Sequence, residues 1–188
     1  KNNIKEYVTY LKFLKFRIEK GLEEPEQMNL HSVFIGNPGT GKTTLANMLG
    51  KIYKGLGLLS KGHVYEVDRS DLIGEFIGQT APKVKDAIEK ARGGILFIDE
   101  AYALARKGDD TKDFGKEVVE MLVKEMTSGG AANFAVVAAG YPEEMNHFLE
   151  SNPGLKSRFN KIFNFPDYTP QELVQIADYA AHKKKIIL

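Results

Sequence analysis

This sequence has no cysteine among its 188 residues. The absence excludes disulfide bonds, thiolate metal sites and cysteine nucleophiles, and it fits a reducing compartment. No stretch approaches the ~20 consecutive apolar residues that a membrane-spanning helix needs. An excess of charge of either sign is also lacking, because 26 basic residues are balanced by 25 acidic ones and the formal net charge is +1. The sequence therefore gives no support to a membrane partner, and it disfavours nucleic acid as a partner.

The length and composition are those of one globular domain. A hydrophobic content of 43% and a charged content of 27% are typical of a protein with a sizeable core. The chain is too short for two domains of ~100–150 residues each. It begins at Lys1 rather than at a methionine, so we expect a segment of a longer protein. We expect a cytoplasmic location, and an organellar signal outside the segment stays an open alternative.

Short apolar runs alternate with amphipathic helical patterns along the chain. The predicted strands are 33–35, 64–67, 95–98, 134–139 and 162–165. The predicted helices are 4–18, 43–53, 81–92, 114–127 and 142–150, and a last helix begins after Thr169. Strands this uniformly apolar have no solvent-facing side, which indicates a parallel sheet covered by helices on both faces. The predicted fold class is α/β, with a mostly parallel five-stranded sheet in three layers.

A glycine-rich pattern follows the first predicted strand directly. The text GNPGTGKT satisfies the pattern G-x-x-x-x-G-K-[ST] between a strand and a helix. Its glycines let successive backbone N–H groups face inward, and the following helix adds the partial positive charge of its N-terminus. The pattern predicts a cradle for a polyphosphate. The residues assigned to this phosphate loop are Gly36, Asn37, Pro38, Gly39, Thr40, Gly41, Lys42, Thr43 and Thr44.

Four polar side chains have predicted chemical tasks around this cradle. Lys42 would reach the β- and γ-phosphates, and Thr43 would place its hydroxyl on a Mg²⁺ ion that bridges them. Asp99 and Glu100 follow the apolar run 95–98, at the end of a strand where parallel sheets bind ligands. Asp99 would hold Mg²⁺, and Glu100 would act as the general base toward the attacking water. The acidic pair favours hydrolysis over transfer of phosphate to a small substrate.

The surrounding text resembles AAA+ ATPases of the P-loop class, and within them the family of stage V sporulation protein K and the red-type Rubisco activases. The stretches that carry the resemblance are 30–44, 62–80, 93–105 and 152–173. Together they cover nearly the whole chain from the first helix onward. The resemblance implies ATP and Mg²⁺ as cofactors and ATP hydrolysis as the activity. It also implies a ring of copies of the chain, a hexamer in the full protein.

The resemblance further implies roles for residues outside the cradle. Phe76, Ile77 and Gly78 occupy the place of a pore loop that protrudes into the ring channel and grips an extended polypeptide. An aromatic side chain offers a large contact area at low entropic cost, so it can hold varied sequences. Arg158 occupies the place of an arginine finger that acts in trans on the neighbouring subunit's γ-phosphate. From residue type alone, core burial of Phe76 and a surface ion pair of Arg158 stay open.

Two features depart from the pattern of the wider class. After the fourth strand the class usually places a polar residue that orients the attacking water, whereas this sequence has Gly140 and then Tyr141. Tyr141 is the candidate for that hydrogen bond. The helical lid, which in the class carries a further arginine near the nucleotide, has barely begun when the sequence ends. We therefore expect a helix and linker over 1–29, the nucleotide-binding domain over 30–168, and the start of a largely missing lid over 169–188.

Three functions compete at this point. The first is an ATP-driven remodeller whose ring pulls on a protein client through Phe76, although the sequence does not say which client. The second is a nucleotide-gated assembly or adaptor module with little turnover, which would not require Glu100. The third is nucleic-acid translocation, which the near-neutral charge disfavours. Because Lys42, Thr43, Asp99 and Glu100 are all present, the first function is favoured.

Overall fold

The computed structural model describes residues 2–22, 29–105, 114–127 and 133–183. Its centre is a five-stranded sheet in the order β2-β3-β4-β1-β5, and every pairing is parallel. The strands are β1 Ser32–Gly36, β2 Val64–Val67, β3 Ile95–Ile98, β4 Ala135–Gly140 and β5 Lys161–Phe165. The predicted α/β class and the five predicted strands are confirmed, with boundaries that differ by one residue.

Helices lie between the strands and at both ends of the chain. They are α1 Asn2–Glu19, α2 Lys42–Gly55, α3 Arg69–Leu72, α4 Thr80–Ala91, α5 Phe114–Thr127, α6 Pro142–Glu150, α7 Pro153–Arg158 and α8 Pro170–Lys183, with a 3-10 helix at Ala101–Ala105. Within the described ranges no helix is both long and apolar enough to cross a membrane. The helices of four to six residues were not predicted, because elements this short cannot display a helical repeat.

The two faces of the sheet carry two separate apolar cores. One core joins Leu96 and Val136 to the inner faces of α4, α5 and α6. The other joins Phe34 and Phe97 to α1 and α2. Helices thus cover both sides, so β1, β3 and β4 are buried at every position, and a polar residue would be costly at any of them. This is the three-layer arrangement that the sequence predicted.

The strand register brings three chain segments together at one edge of the sheet. Ile35 of β1 pairs with Gly140 of β4, and Ile98 of β3 pairs with Ala138 of β4. Because the strands are parallel, the residues that follow β1, β3 and β4 all emerge at the same edge. The glycine-rich loop, the acidic pair and Tyr141 are these residues.

The last helix, α8, is capped at its start and exposed along its length. The Glu172 carboxylate accepts from the Thr169 backbone N–H at 2.9 Å, and Thr169 Oγ1 accepts from the Glu172 N–H at 3.3 Å. These two bonds form a capping box. The large apolar side chains exposed on α8 are Leu173, Val174, Ile176 and Tyr179. For the charged stretch 106–113 the sequence is most simply explained by a surface loop, and this stretch lies outside the described residues.

Candidate functional site

An open cavity of about 380 Å³ lies at the carboxyl edge of the sheet. It lies where the loop after β1, the acidic pair after β3 and the residue after β4 meet. The residues that line it are Gly36, Pro38, Gly39, Gly41, Lys42, Thr43, Thr44, Asp99, Glu100, Gly140 and Tyr141. The fold therefore brings together segments that are separated by about a hundred positions in the sequence.

Two glycines give the phosphate loop its shape. Gly39 has φ 75° and Gly41 has φ 93°, which lie in the left-handed region where a side chain is strained. This conformation delivers the chain into α2 at Lys42, so the N-terminus of that helix faces the cavity. The N-cap residue is Gly41 itself and supplies no side-chain cap. The first N–H groups of α2 are consequently available to an anion, and the helix dipole favours one.

The Lys42 side chain turns back over the phosphate loop. Its Nζ donates to the Gly36 carbonyl and to the Asn37 carbonyl, both at 2.8 Å. Partial burial lowers the pKa of Lys42 below its usual range, and the negative charge of Asp99 opposes that effect. A phosphate oxygen is a stronger partner for an ammonium than a neutral carbonyl. Lys42 can therefore exchange these two carbonyl partners for the oxygens of a polyphosphate.

The two acidic residues occupy different environments although they are adjacent. Asp99 is half-buried, its N–H donates to the Val67 carbonyl at 2.9 Å, and its Oδ1 accepts from the Glu100 N–H at 3.0 Å. Glu100 is exposed and has φ 47°, an uncommon backbone conformation for a non-glycine residue. Strain of this kind costs about 1–3 kcal/mol and is concentrated at functional sites. Glu100 is thus an exposed carboxylate on a strained backbone, next to a half-buried one.

The cavity contains suitable ligands for a hard divalent cation. The Thr43 hydroxyl and the Asp99 carboxylate both line it, and oxygen ligands of these kinds suit Mg²⁺, which binds proteins through few groups and retains waters. Within the described residues no cluster of three histidine, cysteine or acidic side chains could hold a metal. The donor set fits a Mg²⁺ ion that is shared with a nucleotide phosphate.

Tyr141 is part of the cavity wall. It follows β4 and is the N-cap residue of α6, and its ring centroid lies 5.9 Å from that of the buried Tyr102. Gly140 beside it must be glycine, because a Cβ there would lie 2.7 Å from the Tyr102 ring and 2.8 Å from the Met145 sulfur. Tyr141 is thus one of the residues that line the cavity.

Two residues of the predicted cradle do not line the cavity. The Asn37 amide donates to both carboxylate oxygens of Asp167, at 2.9 Å and 3.0 Å. The Thr40 hydroxyl donates to the Asn37 carbonyl at 2.7 Å. Tyr168 donates from its hydroxyl to the Thr40 carbonyl at 2.9 Å. Neither Asp167 nor Tyr168 could be selected from the sequence, because both contacts span about 130 positions and belong to no local motif.

The predicted pore loop lies away from the cavity, between α3 and α4. Phe76 and Ile77 are 67% and 70% exposed, so the alternative that Phe76 is a core residue is wrong. Gly78 has φ 84°. A second cavity, of about 480 Å³, adjoins the base of this loop at Gly74, and Glu100 forms part of its wall as well. Glu100 therefore lies between the first cavity and the segment that carries the exposed loop.

Arg158 is the last residue of α7 and does not line the cavity of its own chain. Its Nη1 donates to the Gly154 carbonyl and to the Ser157 hydroxyl, both at 3.1 Å. Its backbone carbonyl accepts from the Asn29 amide at 2.6 Å. The bond to Asn29 thus links the end of α7 to the segment before β1.

These features define a class of protein. A glycine-rich loop between a buried parallel strand and a helix, with an acidic pair at the end of a neighbouring strand, characterises nucleotide-binding α/β domains with a phosphate loop. A family model described as "ATPase family associated with various cellular activities (AAA)" matches residues 32–167. The chain belongs to this family of ATPases.

Curated proteins with similarity over most of this chain agree with that assignment. Stage V sporulation protein K of Bacillus subtilis is 51% identical over 177 residues, which are 94% of this chain and 54% of that protein. Protein CbbX of Cereibacter sphaeroides is 43% identical over 179 residues, with coverages of 95% and 57%. The chloroplastic ribulose bisphosphate carboxylase/oxygenase activase of Cyanidioschyzon merolae is 44% identical over 176 residues, with coverages of 94% and 59%. The chain spans little more than half the length of these relatives.

Proposed function

We propose that this domain binds ATP together with Mg²⁺ and hydrolyses it at the interface between neighbouring copies in a ring. The observation that carries the proposal is the meeting of the phosphate loop with Asp99 and Glu100 around one cavity. A domain that only bound nucleotide would need the loop and an ion ligand, but it would have no use for a second carboxylate in the cavity.

Within this proposal the loop binds and orients the polyphosphate. The N–H groups at the start of α2 face the phosphates, and Lys42 leaves its two carbonyl partners to bind phosphate oxygens. Thr43 and Asp99 hold the Mg²⁺ ion, whose chemistry is to neutralise charge on the β- and γ-phosphates. Tyr141, which lines the same cavity, is the proposed hydrogen-bond donor near the γ-phosphate.

Glu100 is the proposed general base. Its carboxylate is exposed at the cavity wall, where it can accept a proton from the water that attacks the γ-phosphate. Positioned general bases contribute about 10²–10⁴ in rate. The strained backbone of Glu100 supports this role, because an ordinary surface glutamate would not require a left-handed conformation.

Arg158 is the proposed arginine finger, and it acts in trans. It projects from the end of α7 outside its own cavity, so a second copy must present it to the γ-phosphate. An arginine supplied in this way accelerates phosphoryl transfer by about 10³–10⁵. Turnover would consequently depend on assembly, for which a hexameric ring is the proposed form.

The work of the ring is proposed to be remodelling of a protein client. Phe76 and Ile77 are exposed on a loop that no described segment covers, as expected for side chains that grip an extended polypeptide. One similar protein is named as an activase of ribulose bisphosphate carboxylase/oxygenase, which is consistent with an action on another protein. The second candidate, a nucleotide-gated assembly module with little turnover, would not require Glu100.

The test is steady-state ATP hydrolysis with Mg²⁺ across a wide range of protein concentration. Specific activity should rise with concentration, because each active site requires a second copy. Glu100→Gln should lower turnover at least about 100-fold and Arg158→Ala about 1,000-fold, with nucleotide binding retained in both. The matched controls are Glu150→Gln and Lys156→Ala, which change exposed residues and should keep the parent activity.

Mixing the two inactive variants provides the sharper measurement. A ring that contains both has some interfaces with an intact Glu100 and an intact Arg158, so activity should reappear on mixing if Arg158 acts in trans. If ATP binds but no protein concentration gives turnover that depends on Glu100, the proposal that this chain hydrolyses ATP is wrong. The assembly module then becomes the better account.

A further inference from the structure

The segment between β5 and α8 is attached to the phosphate loop at two points. The Tyr168 hydroxyl donates to the Thr40 carbonyl, and the Asn37 amide donates to both oxygens of Asp167. Tyr168 is half-buried, whereas Asp167 and Asn37 are exposed. Water competes less for the tyrosine bond, so we expect it to be the stronger of the two attachments.

The contact between this segment and the loop is close enough to require glycine. A Cβ on Gly41 would lie 2.9 Å from the Tyr168 hydroxyl oxygen. A Cβ on Gly36 would lie 2.5 Å from the Phe165 carbonyl oxygen. The glycines of the phosphate loop therefore serve two needs, the turn of the loop itself and its close packing against residues 165–168.

The bond from Tyr168 sets the direction of a cradle N–H group. A trans peptide is planar, so the carbonyl of Thr40 and the N–H of Gly41 point in opposite directions. Because Tyr168 binds that carbonyl from outside the loop, the Gly41 N–H is directed away from Tyr168. Gly41 lines the cavity, and an N–H directed there is a donor for a phosphate oxygen.

We propose that Tyr168, assisted by Asp167, is a positioning residue that orients the phosphate loop for nucleotide and links loop occupancy to α8. The inference rests on the proposed use of this loop to bind the phosphates of ATP. Tyr168 precedes Thr169, the residue that caps α8, so a shift of the Thr40 carbonyl on phosphate binding is passed directly to the start of that helix.

The first measurement is the affinity for Mg²⁺-ADP by calorimetry, which avoids turnover. Tyr168→Phe removes one hydroxyl and should raise Kd about fivefold, the equivalent of about 1 kcal/mol for one hydrogen bond. Asp167→Ala should raise Kd by a smaller factor, because its bonds are exposed. The matched controls are Tyr179→Phe and Asp178→Ala on the exposed surface of α8, which should bind ADP like the parent.

The second measurement separates positioning from general stability. Since the chain has no cysteine, Gln175→Cys, at an exposed site on α8, provides one labelling position for an environment-sensitive fluorophore. Saturating ADP should change its fluorescence, and the change should be at least halved when Tyr168→Phe is added. Saturation removes the difference in affinity, so only the link to α8 is measured.

Several results would overturn the inference. They are a Kd for Tyr168→Phe within twofold of the parent, an equal loss of affinity in Tyr179→Phe, and a fluorescence response that is absent in the parent or undiminished in Tyr168→Phe. Failure of the proposed function would give a different result from those just named. In that case the parent itself does not bind ADP, and Lys42→Ala does not change the ADP binding measured.

Discussion

At the scale of single residues, His31 is a buried histidine that should make the stability of the fold depend on pH. It is 8% exposed, its Nδ1 accepts from the Val136 N–H at 2.9 Å, and the rings of Phe134 and Phe159 contact it edge-on. Burial lowers the pKa of His31 to about 4, with a smaller lowering from the charge of Arg158. The neutral imidazole is therefore part of the core that supports α7.

Stability should decline as the pH is lowered, because the unfolded state binds a proton that the folded state excludes. The pKa of His31 is 6.5 in the unfolded chain and about 4 in the folded one. The stability that His31 contributes is therefore complete above the first of these pH values and is lost as the pH falls to the second. The difference corresponds to about 3 kcal/mol. Urea unfolding at pH values between 7.5 and 4 measures it.

His31→Gln removes this titration, and its free energy of unfolding should depend less steeply on pH in that window. His182→Gln replaces an exposed histidine and serves as the control. An identical pH dependence in His31→Gln and in the parent would show that other groups, not His31, cause the acid sensitivity.

At the scale of elements, α2 packs against the residues before β2 by direct contact of two backbones. A Cβ on Gly50 would lie 2.3 Å from the Gly62 carbonyl oxygen. Gly55, in the last turn of the same helix, has nothing within 4 Å of the corresponding position. The two glycines thus share a helix but differ in the space beside them, which makes them a matched pair.

Gly50→Ala should destabilise the domain by about 2 kcal/mol or more, because a backbone carbonyl cannot rotate away as a flexible side chain can. Gly55→Ala should be neutral or stabilise by about 0.5 kcal/mol, since alanine is the better helix former. Thermal and urea unfolding of both variants check the pair. Equal effects would mean that α2 can move relative to residue 62, contrary to the structure.

Short elements determine where the predicted functional residues lie. Phe76 follows α3, Glu100 precedes the 3-10 helix, and Arg158 ends α7. None of these elements was predicted, because four to six residues are too few for a periodic pattern and their stability comes from packing and caps. Asn152 at the start of α7, whose side chain accepts from the Gly154 N–H at 2.7 Å, is one such cap.

At the scale of the whole molecule, nucleotide should stabilise the fold because its binding surface exists only when three strands are aligned. At a free ADP concentration of 100 times Kd, the stabilisation is about 2.7 kcal/mol. For a chain of this size that corresponds to a rise in Tm of about 5–10 °C. Thermal unfolding with and without Mg²⁺-ADP measures the shift.

Lys42→Ala provides the control for that experiment. It removes the ammonium that faces the loop carbonyls, and its Tm should be nearly independent of ADP. If the parent and Lys42→Ala gain the same number of degrees, ADP stabilises the chain at some place other than the phosphate loop.

The sequence by itself determined the fold class, the strands and the identity of the cradle. These features have local causes, since an apolar run, a glycine turn and a capping box each lie within a few consecutive residues. Lys42, Thr43, Asp99 and Glu100 could be selected because each stands at a fixed distance from the end of a predicted strand. The family could be recognised for the same reason, because its motifs are continuous stretches of chain.

Only the tertiary structure decided which distant residues support that cradle. Tyr168 and Asp167 meet the loop, and His31 meets β4, across more than a hundred positions. No propensity or spacing encodes such contacts, because they arise when the parallel register brings β5 alongside β1 and β1 alongside β4. The exposure of Phe76 and the left-handed backbone of Glu100 were decided at the same stage, by packing of the whole domain.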